Sequence, residues 1–159
     1  MSVKLQSLLD EYSESHQNNT NKAIHWICVP LIFWAIIALL YSIPNSGLID
    51  LIGDKFYANW AVFSMIPVLV YYLSLSVPIS IGMFLFISGC LYVSDIVLQT
   101  STYPLWAIAL VVFALAWVGQ FYGHKIEGKK PSFLKDIQFL LIGPAWLMHF
   151  IYKRLGLKY

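Results

Sequence analysis

Polar and apolar residues sort along the chain into an amphipathic start, a series of long apolar runs, and polar seams between them. Over residues 2–16, Val3, Leu5, Leu8, Leu9 and Tyr12 recur at helical spacing opposite Lys4, Gln6, Asp10, Glu11 and Glu14. That pattern predicts an amphipathic helix too short and too polar to span, placed at a membrane surface. The stretch 17–20 breaks the pattern, and Asn18, Asn19 or Thr20 can cap the next helix. From Ala23 the chain stays apolar for the roughly 20 residues that a bilayer crossing needs. This predicts a first span over about 22–41, kinked at Pro30. Residues 42–57 hold a Pro, two Gly and two Asp and read as a loop, with a half-turn at the interface. Residues 59–99 carry Asp95 as their only charge and are too long for one span. The serines and Pro78 of the stretch 74–78 divide them into spans over 59–75 and 78–98. Pro104 opens a fourth span over 104–123. In the segment 132–155, about ten apolar residues on each side of Gly143-Pro144 make a poor span. They predict a broken helix, interfacial or re-entrant. The expected fold class is an all-α integral membrane protein, a single membrane domain over 1–159 with four transmembrane helices.

Composition supports this class. The 159 residues are 59% hydrophobic and 11% charged, against about a quarter charged in a soluble domain. The first twenty residues are polar, so no signal peptide is expected. The net charge of +2 matters less than its distribution. With four spans, Lys4, Lys22, Lys125, Lys129, Lys130, Lys135, Lys153, Arg154 and Lys158 share one side, and Lys55 falls on the other. The positive-inside rule then places both termini in the cytoplasm. The membrane is the inner one in a bacterium or the endoplasmic reticulum in a eukaryote. Cys28 and Cys90 lie in apolar runs without CxxC spacing and read as buried free thiols.

The candidate chemistry lies with four histidines, His16, His25, His124 and His149, which this topology gathers on one face. His16 ends the first helix, and His25 sits just over a turn into the first span, four residues after Asn21. Gln120, His124 and Glu127 are spaced by four and three, so on a continuing helix they share a face. His149 lies in the otherwise apolar run WLMHF. Ionisable groups at the ends of very apolar segments mark a site. Neutral imidazole is the commonest metal ligand, and a cluster with few carboxylates suits iron, zinc or copper. Glu127 serves such a site as an acceptor for an imidazole N–H or as a ligand; alternatively it is a solvated charge paired with Lys129 or Lys130. A basic rim of Lys125, Lys129, Lys130, Lys153 and Arg154 would attract a carboxylate or phosphate headgroup, with Lys125 and Lys130 as the candidate contacts. Trp26, Trp117, Tyr122, Trp146 and Tyr152 fit an interfacial aromatic belt. Ser64, Pro67, Ser74, Pro78, Gly82 and Gly89 could hold the second and third spans apart as an acyl slot, or simply be close helix contacts. A transporter would want polar residues near the bilayer midplane, where the second to fourth helices have almost none, and a haem subunit would want mid-helix rather than interfacial histidines, which disfavours both. A small membrane transporter, a zinc hydrolase and a non-enzymatic membrane scaffold, with a structural metal or none, stay open as alternatives.

Two blocks of residues carry a family resemblance. Tyr12-x3-His16-x4-Asn21-x3-His25-x4-Pro30, then Trp117-x2-Gln120-Phe121-x-Gly123-His124-x2-Glu127-x3-Pro131 followed by Gly143-Pro144, resemble the 2-hydroxy fatty acid dioxygenase family. Its fungal namesake acts in the metabolism of phytosphingosine to odd-numbered fatty acids. The resemblance covers essentially the whole chain. It implies a small multi-span protein with an Fe(2+) cofactor that converts a 2-hydroxy fatty acid and O2 into a fatty acid one carbon shorter and CO2. His16, His25 and His124 match the family's histidines, and Asn21, Gln120 and Glu127 match its accompanying polar positions. This conversion is a four-electron oxidation and O2 accepts four electrons, so no nicotinamide, flavin or 2-oxoglutarate is required. Six-coordinate iron holding a bidentate substrate and O2 has room for three protein ligands, and His149 is the histidine expected to fall outside. The expected partners are the 2-hydroxy fatty acid, O2 and membrane lipid, with no nucleic acid.

Overall fold

The structure is a computed structural model that describes residues 2–54, 56–131 and 138–158. Seven α-helices and no strand are present among them. α1 (Val3–Glu14) starts at Ser2, whose hydroxyl oxygen accepts from Leu5 N–H at 3.2 Å. α2 (Asn19–Tyr41) starts at Asn18, whose side-chain oxygen accepts from the N–H groups of Thr20 and Asn21. The seven-residue α3 (Ser46–Ile52) lies inside the polar seam that follows. α4 (Trp60–Leu75) and α5 (Val77–Thr100) meet at Ser76, which ends one helix and caps the next. α6 (Leu105–Glu127) runs without interruption through the Gln120, His124 and Glu127 face. α7 (Phe139–Arg154) closes the chain.

Three helices, α2, α5 and α6, are long and apolar enough to cross a membrane. The fourth expected span falls on α4, whose 16 residues rise only about 24 Å against a hydrocarbon core of about 30 Å. Exposed Leu85, Leu115 and Val118 give α5 and α6 apolar outer faces, as lipid contact requires and water disfavours. Two hydrogen bonds fix how the helices run. Tyr41 Oη donates to the Asp95 carboxylate at 3.1 Å, joining the end of α2 to the end of α5. Ser2 Oγ donates to the Leu75 carbonyl at 2.7 Å, joining the start of α1 to the end of α4.

Two sequence expectations change. α1 does not offer its apolar stripe to a membrane surface. Leu5, Leu8, Leu9 and Tyr12 are buried, and α1 packs on α7. A stripe of this kind is satisfied by any apolar partner, and α7 supplies one inside the protein. α7 itself is not split at Gly143-Pro144 but continues through Pro144 as one helix. The ring removes a single N–H early in the helix, leaving the Leu140 carbonyl without its donor, while Tyr72 Oη donates to the neighbouring Leu141 carbonyl at 2.7 Å. Residues 132–137 of the expected interfacial segment lie outside the described residues.

Candidate metal centre

Three separate pieces of chain bring His16, His25 and His124 together. His16 follows the end of α1, held by its N–H donating to the Ser13 carbonyl at 3.0 Å. His25 stands on the second turn of α2 and His124 on the last turn of α6. Their ring centroids are 4.2 Å (His16–His25), 5.0 Å (His16–His124) and 4.9 Å (His25–His124) apart. One nitrogen from each ring lies within 4.8 Å of the others, and all three residues are buried.

Local backbone geometry sets the tautomers. His16 Nδ1 lies 2.6 Å from the Tyr12 carbonyl and His25 Nδ1 lies 2.9 Å from the Asn21 carbonyl, each four residues back. A carbonyl can only accept, so both Nδ1 atoms carry the proton and both Nε2 atoms present a lone pair. Among the described residues, His16 Nε2 and His124 Nδ1 are buried without a hydrogen-bond partner. Burial lowers the His16 pKa from 6.5 to about 4, the Tyr12 carbonyl opposing and His124 adding to the fall. His16 is therefore neutral near pH 7. Unpartnered buried nitrogens cost about 1–3 kcal/mol each, and a bound cation would relieve that cost. Neutral imidazoles with converging lone pairs are the donor set of a transition-metal site, and these three residues fit one.

The surroundings of the triad are built by close helix contact. Among the described residues, α2 and α6 pack against each other more extensively than any other helix pair. Gly119 and Gly123 make it possible: a Cβ on Gly119 would sit 2.7 Å from Cys28 Sγ, and one on Gly123 would strike Asn21 Oδ1. This small-x3-small pattern on an apolar helix is a known device for bringing backbones together. The signal for it in the sequence is the Gly119-x3-Gly123 spacing within an apolar run. Glu127 then ties the seam to the segment carrying His16. Its carboxylate accepts from Gln17 N–H at 2.8 Å, Asn18 N–H at 2.9 Å and the Asn21 amide at 3.0 Å. The Asn21 amide also donates to the Ser15 carbonyl at 3.1 Å. Glu127 thus stands beside the triad as a clamp on its backbone, and the group that could hold a metal does not include it. Lys129 does not pair with it but donates from Nζ to the Glu14 carbonyl at 2.7 Å. Glu127→Gln turns one acceptor oxygen into a donor facing donors. Metal affinity is expected to fall roughly 10- to 100-fold, the usual cost of losing an outer partner. Metal titration of the variant checks this, and unchanged affinity would remove the clamp from the account.

Beside the triad lies a cavity of about 50 Å³ bounded by α1, α2, α6 and α7. Its polar end is formed by Tyr12, His25, Gln120 and His124, and its apolar walls include Phe33, Ile36 and Trp117. A water needs about 10–15 Å³ of such space, so there is room for a few waters or a small headgroup. The small residues of the second and third spans, which could form an acyl slot or close helix contacts, do not border this cavity. Gly82 is instead covered by Met148 and Tyr152 of α7, as a small residue at a helix contact.

His149 does not join the other three. It is half-buried on α7 with its ring edge-on to Phe150 at 5.2 Å. At about 100° per residue it points roughly 120–140° away from Gly143 and Pro144, which face the cavity. Lys125 and Lys130 are exposed. Trp146 is no belt residue: it is buried against Tyr12 and His16, with centroids 5.4 Å from each, and its indole N–H donates to Ser13 Oγ at 2.8 Å. Tyr12, on the apolar stripe of α1 and at the head of the first motif block, also lines the cavity.

Residues 3–155 match the model of one protein family, described as 2-hydroxy-palmitic acid dioxygenase Mpo1-like. No curated protein and no solved structure matches the chain.

Proposed function

The chain belongs to the Mpo1-like 2-hydroxy-palmitic acid dioxygenase family, and from that premise we propose that it is an iron(II)-dependent dioxygenase of 2-hydroxy fatty acids in a membrane. The observation carrying the proposal is the buried triad of His16, His25 and His124, of which His25 and His124 line the polar end of a largely apolar cavity. The reaction is RCH(OH)COOH + O2 → RCOOH + CO2 + H2O, in which the substrate loses four electrons and O2 gains them. It balances without a second reductant.

The three histidines hold the metal, which when bound supplies the redox chemistry towards O2 and an anchor for the substrate's oxygens. Their neutral state matters, because a protonated imidazole cannot ligate. Asn21 and Glu127 keep the His16 and His25 backbones in place. Gln120, buried in the cavity wall, offers an amide N–H to the headgroup carboxylate. Trp117, Phe33 and Ile36 exclude water from the reacting end and give the first methylenes an apolar path. His25 and Ile36 are separated by a rise of roughly 16 Å along α2, so the acyl chain follows that helix and leaves between α2, α6 and α7 for the bilayer. The exposed Lys125 and Lys130 favour approach of an anionic headgroup to this end of the protein.

Detergent-purified protein prepared under argon is expected to hold about one iron per chain. Given 2-hydroxypalmitate, it should consume O2 and release pentadecanoate and CO2 in equal amounts. Stoichiometric zinc with anaerobic turnover would replace the proposal with a hydrolase, since three histidines and an open position also suit zinc. No metal after reconstitution with iron(II) would leave a membrane scaffold.

A further inference from the structure

Tyr12 has a hydroxyl whose position packing alone does not explain. The side chain is buried on the last full turn of α1, and its ring stacks on His16 with centroids 4.1 Å apart and planes inclined by 13°. Its edge borders the cavity shared by His25, Gln120 and His124. The hydroxyl rests against α7 at Gly143, where an added Cβ would come within 3.1 Å of Oη. Among the described residues it makes no hydrogen bond, in contrast to Tyr41, Tyr72 and Tyr152, whose hydroxyls all donate to protein oxygens. Buried phenols nearly always find a partner. A phenylalanine would fill the same space and stack on His16 equally well.

We propose that Tyr12 Oη donates a hydrogen bond to a headgroup oxygen of the 2-hydroxy acid bound beside the three histidines. Gly143 is the notch that admits that hydroxyl to the cavity. The inference rests on the function proposed above and adds to it a recognition residue from α1, a helix that crosses no membrane. Tyr12 then links two tasks, since its carbonyl orients His16 while its hydroxyl meets the substrate. A hydroxyl donating to a carboxylate is a charge-assisted bond, and its loss should weaken binding roughly 10- to 100-fold.

The test is binding of 2-hydroxyhexadecanoate under argon, where no turnover occurs, to iron-loaded wild type, Tyr12→Phe and Gly143→Ala. Tyr12→Phe should keep its metal and its ligand-free melting temperature, because removing an unpartnered hydroxyl is close to neutral. Its Kd for the acid should rise at least tenfold, and the stabilisation conferred by the acid should shrink accordingly. Gly143→Ala keeps the hydroxyl but crowds it, and should weaken binding in the same direction by less. Wild-type Kd in Tyr12→Phe would overturn the inference and leave the dioxygenase reading standing. A lowered ligand-free melting temperature with unchanged Kd would also overturn it, showing a purely structural tyrosine. A wild type that binds neither iron nor the acid would overturn both.

Discussion

Alanine at His16, His25 or His124 should each abolish metal retention, whereas alanine at His149 should leave it intact. The reason is geometric: the first three rings present nitrogens within 4.8 Å of one another, and the fourth lies on another face of α7. With three donors gathered among the described residues, the loss of one leaves two. The affinity cost should exceed the roughly 10- to 100-fold that follows from losing an outer partner, and turnover should fall with it. Metal content of the four purified variants, measured alongside helical content by circular dichroism, decides the matter. Retained helix with lost metal identifies a ligand; retained metal with lost turnover identifies a residue acting on substrate. Equal loss in all four would sink the three-histidine site. A finer distinction lies between His16 and His25, whose Nδ1 atoms are both tied to carbonyls four residues back. Asparagine or glutamine can mimic only one of the two ring nitrogens, so neither should rescue either position.

The parts of this architecture that depend on the chain's own local preferences were readable in advance. The break at Ser76 follows from serines and Pro78, and the start of α2 follows from the side chain of Asn18. The shared face of Gln120, His124 and Glu127 needed only that the helix continue, which it does as far as Glu127. What apolar sequence cannot specify is which apolar partner it meets, because lipid and protein interior satisfy a leucine alike. Hence α1, expected on a membrane surface, is packed on α7. Trp146, expected in a belt, lies against His16, and the cavity beside the triad is bounded by α1, α2, α6 and α7. His149, one of the four candidate ligands and the one expected to fall outside, stands apart from the other three. Hydropathy brings it to the right end of the molecule, but its direction depends on the rotation of α7, and no periodic pattern in that segment fixes the rotation.

The second large effect is expected at Gly123, far more than its lack of a side chain suggests. Two dependences meet there. α6 lies so close to α2 that a Cβ at this position would strike Asn21 Oδ1, and Asn21 is the residue that bonds both Glu127 and the Ser15 carbonyl. Its backbone carbonyl, in turn, fixes the His25 tautomer. Gly123→Ala therefore forces a choice. Either the helices separate, pulling His124 from His25, or Asn21 rotates and loosens the segment that carries His16. Overpacking of this kind costs about 1–3 kcal/mol, and both ways of relieving it disturb the triad, so metal affinity should suffer more than stability. Gly119→Ala, one turn earlier, meets Cys28 Sγ at 2.7 Å but touches none of the polar bridges. It should lower the melting temperature comparably while sparing more of the metal. Measuring both quantities for both variants separates the two consequences of one helix seam. Equal metal loss at the two positions would mean that helix spacing alone sets the site, whereas selective loss at Gly123 would place Asn21 at its centre.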